Sequence, residues 1–165
     1  MPMTINTEGM DELSRMLAQL GNKAQDVASG ALYDGAGIVA DAMKAAVNSI
    51  QAEPQRRKNR PPAKTPARLP TPAEKAAVVG KTGNARFRKE GGDVNTLIGV
   101  TGNAGYADVD GKRKPVRLIA RAINSGTSFM HKQPVFRKAV TSSQGAAKAA
   151  IIAKAEQMFN ELIGG

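Results

Sequence analysis

The 165-residue chain has no cysteine, no tryptophan and a single histidine, and aromatic residues make up only 4% of it. Without cysteine there is no disulfide scaffold, no thiolate zinc or iron–sulfur site and no cysteine nucleophile. One histidine, His131, excludes a His-rich metal site and leaves one candidate for imidazole acid–base work. Hydrophobic residues reach 41%, so a core is within reach, but it must be built from Ala, Leu, Ile, Val and Met. No run of 18 apolar residues occurs, which excludes a membrane-spanning helix. The opening Met1–Glu8 lacks both a basic and an apolar signal region, which predicts a soluble intracellular product. The length suits one domain, 1–165.

Positive charge is abundant and unevenly placed. Lys and Arg number 24 against 14 Asp and Glu, a formal net charge of +10. Residues 1–52 sum to −3, residues 53–138 to +13, and residues 139–165 to zero. Within the basic middle, residues 54–72 hold six of the nine prolines, interleaved with Arg56, Arg57, Lys58, Arg60, Lys64 and Arg68. Proline fixes φ, removes a backbone donor and disfavours helix at the residue before it. We therefore expect an extended basic insertion over 53–75, either a solvated linker or an arm that reaches a neighbouring subunit or a phosphate backbone. A basic surplus of this size implies a polyanion or an acidic protein partner.

The flanking segments read as helices. Met10, Leu13, Met16, Leu17 and Leu20 form a helical stripe with Asp11 and Glu12 in its first turn, and Gly21-Asn22 is expected to end it. A second stripe, Ala28, Leu32, Gly35, Val39, Met43 (or Ala42), Ala46 and Ile50, predicts a longer helix from about Lys23 to Ile50, whose glycines suit close approach of another backbone. Short β-like runs follow at Ala76–Val79, Ala85–Arg88 and Asn95–Val100. Val116–Ile123 is ambiguous; Leu118, Ile119, Ala122 and Ile123 suit a short helix opposite Arg117 and Arg121. A last helix is expected from Pro134 to about Ile163, with a break at Ser142–Gly145. The fold class is α+β: long N- and C-terminal helices packed on a small antiparallel sheet.

Chemistry-bearing motifs are few. His131 has no orienting partner in the sequence, and Asp108-Val109-Asp110-Gly111 lacks the downstream Glu of a calcium loop, so Asp110-Gly111 reads as a hairpin turn. Gly80-Lys81-Thr82-Gly83 lacks the spacing of a phosphate loop. No catalytic residue, metal or cofactor is expected. Arg56–Arg60 and Lys112-Arg113-Lys114 could neutralise phosphates, but only Phe87 is an aromatic flanked by bases, so DNA contact would be sequence-independent.

One further pattern points to a family. Ile123-Asn124-Ser125-Gly126-Thr127-Ser128, then Gln133-Pro134-Val135-Phe136-Arg137-Lys138-Ala139, leads into an Ala-rich helix. This resembles the Gly-Thr and Pro-Phe signature of the head–tail joining, or tail-completion, proteins of long-tailed (siphovirus-like) bacteriophages. The Gly-Met-Asp-Glu-Leu start and the Ala-rich helix ending near Met43–Ala46 are similar to that family as well, so the likeness covers roughly 8–50 and 116–163. Asn124 and Ser125 stand where the family usually has an acidic and an aromatic residue, and Val135 separates Pro134 from Phe136. The resemblance implies a virion protein of the phage neck, made in the host cytoplasm. It would form a ring, of six subunits, between a head-side connector or portal-adaptor ring and a tail terminator or tail tube, with DNA in the channel. It assigns Gly126, Thr127, Pro134 and Phe136 to a subunit interface or a scaffold motif. The competing class is a non-specific DNA-binding protein.

Overall fold

The computed structural model describes residues 8–53, 67–84, 88–90, 93–100, 105–109 and 111–163. It is an α+β fold in which two long helices flank short antiparallel ladders. Helix α1 spans Glu8–Ser49 and α4 spans Val135–Ile163; between them lie, among the described residues, α2 (Pro72–Lys81), six strands and α3 (Val116–Ser125).

Helix α1 runs through Gly21-Asn22, where the sequence predicts a stop. Two weak helix formers cost about 1 kcal/mol or less each, and no proline lies nearby to enforce a break. The helix is anchored further along, where Val39 and Met43 of α1 join Ala139 and Ala147 of α4 in one buried cluster. The pairing is antiparallel, because Gly35 meets Ala147 and Ile151 while Gly30 meets Met158 further along α4. Gly35 is required by this approach, since a Cβ there would stand 2.4 Å from Ile151 Cγ1 and 3.0 Å from the Ala147 carbonyl oxygen. Helix α4 also stays intact across Ser142–Gly145. The Ser142 and Ser143 hydroxyls donate to the Ala139 carbonyl at 3.1 and 2.8 Å, so their polar groups are absorbed inside the helix.

Ala76–Val79, expected as a strand, lies inside α2. Thr71 accepts from the Glu74 N–H and Glu74 accepts from the Thr71 N–H, a reciprocal capping box with Pro72 in the first turn. Thr71-Pro72-Ala73-Glu74 therefore starts a helix where the proline-rich insertion was expected to continue to residue 75.

Among the described residues the single small sheet expected resolves into three two-stranded antiparallel ladders. β1 (Thr82–Asn84) pairs with β4 (Ile98–Val100), and β2 (Arg88–Glu90) pairs with β3 (Asp93–Asn95). The two ladders are separate but close in sequence, with three residues between β1 and β2 and two between β3 and β4. β5 (Tyr106–Val109) and β6 (Lys112–Pro115) form the hairpin expected around residues 110–111, with Val109 opposite Lys112. The main core gathers Val47 and Ile50 of α1, Val78 of α2, Val109 of β5, Met130, and Val116, Ile119, Ala120 and Ile123 of α3. Val116–Ile123 is thus helical, but Leu118 shares the exposed side with Arg117 and Arg121 and is 59% exposed. Among the described residues no helix is long and apolar enough to cross a membrane.

Candidate interaction surface

The two ends of the basic insertion are held by a built network. Arg56, Arg57, Lys58, Arg60 and Lys64 lie outside the described residues, but the two feet of the insertion lie within them. The Glu53 N–H donates to the Pro70 carbonyl at 3.1 Å, which holds the feet side by side. Helix α1 has no basic residue in its last turn. Lys75 of α2 supplies the cation instead, its Nζ donating to the carbonyls of Asn48, at 2.7 Å, and Ile50. Those carbonyls are the orphan acceptors at the negative end of the helix dipole.

Arg68 departs from the expectation that it lies on the exposed arm. It is buried, and its backbone is paired in parallel with the loop before α4: the Arg68 N–H donates to the Phe129 carbonyl at 2.9 Å, and the His131 N–H donates to the Arg68 carbonyl at 2.8 Å. Its guanidinium turns inward to grip both carboxylate oxygens of Glu74 at 2.7 Å each, and it also donates to the Leu69 carbonyl at 2.9 Å. Lys114 Nζ, from β6, reaches Glu74 Oε1 at 3.2 Å. A bidentate pair of this geometry is the strong form of an ion pair. Burial on its own would push the Glu74 carboxyl up. The hydrogen bonds from Arg68 and the Thr71 N–H, with the attraction of Arg68 and the Lys114 bond, more than reverse this and hold it at about 2. Arg68 is therefore a structural clasp at the root of the arm, unavailable to a partner or to DNA.

The same loop carries the Gly-Thr motif. Gly126 caps α3 at φ 75°, and a Cβ there would stand 3.0–3.2 Å from Lys132, mostly from its backbone, so both the conformation and the space call for glycine. Thr127 and Met130 close a tight antiparallel bridge through the Thr127 N–H to Met130 carbonyl bond at 2.9 Å. Phe129 sits exposed at its tip. Pro134 is exposed just ahead of α4, and Phe136 packs half-buried against both core clusters, which makes it an anchor within its own fold. Asn124 Oδ1 accepts the Phe136 N–H at 3.4 Å, a side-chain cap on the first turn of α4. The structure thus brings the arm's C-terminal foot and the Gly126–Met130 turn together at one corner, while Phe136 serves the interior.

Glu74, Lys75 and Lys114 were missed as members of this corner. The signal for Glu74 was present in Thr71-Pro72-Ala73-Glu74, a capping box with an N-terminal proline. The long-range partners Lys75 and Lys114 have no local signature. Among the described residues no group of three His, Asp or Glu side chains could hold a metal ion. His131 is exposed, and its N–H is committed to the Arg68 carbonyl.

Compared with known proteins, the chain matches no family model, no curated protein and no solved structure.

Proposed function

We propose that the protein is a structural component of a bacteriophage neck, a ring-forming subunit that joins the DNA-filled head to the tail, and that its activity is assembly. The reading grows from the resemblance at both ends of the chain. The observation that carries it is the corner where the two feet of the basic arm, the Arg68–Glu74–Lys114 cluster and the Gly126–Met130 turn are fastened together. A buried, charge-satisfied clasp holds rigid the two feet that bracket the basic insertion. That suits a docking element presented to an adjoining connector or tail ring. Six copies would carry about +60, enough to draw acidic neighbouring rings or the DNA in the channel.

The competing reading, a sequence-independent DNA binder, draws on exposed Lys112, Arg113, Arg117 and Arg121 along β6 and α3. Excising the arm separates the two. Because Glu53 and Pro70 are one hydrogen bond apart, residues 54–66 can be replaced by a short Gly-Ser linker without stretching the base. The neck reading expects the variant to keep its melting temperature and its self-assembly while losing affinity for partner rings. Loss of DNA binding as the main defect, in a protein that never self-assembles, would overturn it.

A further inference from the structure

Two surfaces of opposite charge lie on opposite sides of α1. On the outer side, Asp26, Tyr33, Asp34 and Asp41 fall within about 100° of arc at 100° per residue. All four are exposed, Tyr33 to 58%, and Asp41 is paired with Lys44 at 3.0 Å. Val39, Met43 and Val47 of the same helix face the core. On the core side, where α1, α3, β4 and the start of α4 meet, an open cleft of about 320 Å³ has a floor of Met43, Val100 and Phe136. Arg117 and Arg121, exposed and one helical turn apart, stand along its rim, and Asn124 and Ser125 close one end.

The chemistry of the cleft selects its occupant. A bare phosphate backbone would satisfy the two guanidiniums but leave the apolar floor unused. An occupant that uses both must bring an apolar ring beside carboxylates. The outer face of α1 offers that combination: Tyr33 stands next to Asp34, with Asp41 two turns on. Asp34 and Asp41 are about 10 Å apart along the helix and Arg117 and Arg121 about 6 Å, a difference two arginine side chains can span.

We propose that the outer face of α1 of one copy docks into the Arg117/Arg121 cleft of the next, with Tyr33 entering the cleft and Asp34 and Asp41 pairing with the two arginines. The two surfaces cannot meet within one chain. Because the two surfaces differ, the contact can repeat head-to-tail from copy to copy, and where the rotation closes it makes a ring. This assignment rests on the ring-forming reading and gives it an interface.

The test is a charge exchange read by sedimentation and native mass on the full chain. Arg117→Glu with Arg121→Glu, and separately Asp34→Arg with Asp41→Arg, should each weaken self-association by about 30-fold or more, the expected scale for breaking hydrogen-bonded interface charge pairs. Combining all four substitutions should restore assembly. All the changed residues are exposed, so each variant should melt like the parent, and Tyr33→Ala should weaken assembly while leaving every charge in place. If the parent assembles and the two double variants assemble equally well, this interface is wrong while the ring reading stands. A parent that stays monomeric at every concentration overturns both. If Arg117→Glu/Arg121→Glu keeps its assembled mass but loses DNA binding, the cleft is a phosphate site and the proposal fails.

Discussion

Replacing Glu74 by glutamine removes one charge from the clasp and leaves the buried Arg68 guanidinium without its counter-ion. The carboxyl titrates at about 2 in the folded chain against an ordinary value of 4.5. With 1.36 kcal/mol per pH unit of displacement, ionised Glu74 contributes about 3 kcal/mol to folding at neutral pH. Breaking a buried pair from one side costs a similar amount, about 3–5 kcal/mol. In a domain of this length that lowers the melting temperature by roughly 10 °C. The pH dependence has a definite sign. The folded value is depressed, so the contribution is complete above about 4.5 and is lost as pH falls toward 2, where the unfolded chain takes up the proton first. Urea titrations at steps from pH 7 to pH 2.5 would read this. The parent should lose this increment below pH 4.5, and Glu74→Gln should start lower and lack that part of the slope. The paired replacement Arg68→Met with Glu74→Leu should recover most of the loss, since apolar groups of similar size can replace a buried ion pair. A Glu74→Gln variant within about 0.5 kcal/mol of the parent at pH 7, the scale of an ordinary surface change, would refute the reasoning.

Other substitutions test neighbouring parts of the corner. Gly126→Ala places a Cβ against Lys132 at φ 75° and should cost about 1–3 kcal/mol in denaturant titration. Lys75→Met removes the cation that closes the C-terminal end of α1 and should cost about 1–2 kcal/mol, with faster amide exchange confined to the last turn of that helix. Thr71→Ala should cost about 1 kcal/mol through the lost cap of α2. Gly35→Val forces α1 and α4 apart and should destabilise by at least about 1–3 kcal/mol, seen as a lowered melting temperature.

The long helices and the β5–β6 hairpin were legible because each carries its own local pattern, apolar stripes at helical spacing and an Asp-Gly turn, whereas the sequence of α3 left helix and strand open. Boundaries that depend on distant neighbours were not. Gly21-Asn22 and Ser142–Gly145 read as breaks, yet both lie inside helices: Gly and Asn without a proline are only weak breakers, and the serine back-bonds absorb their hydroxyls within α4. Ala76–Val79 read as a strand because its apolar run is short; the capping box just upstream decides for helix. The expectation for Arg68 failed for a related reason. Within a run of prolines and bases it looks like one more exposed cation, and only the fold brings Glu74, Lys114 and the Phe129–His131 backbone around it. Gly126 and Phe136 were legible as members of an interface or scaffold motif, whereas the cap from Asn124 to the Phe136 N–H depends on how α3 meets α4.

The most direct test of the ring-forming account is the native mass of the purified full chain, at low and moderate salt, with and without DNA. The account predicts a discrete closed oligomer that forms without DNA, loosens as salt weakens the Asp–Arg contacts, and keeps the same subunit number when DNA is added. A monomer that gains mass only on DNA, in proportion to the length of the duplex, and falls away as salt rises would contradict it.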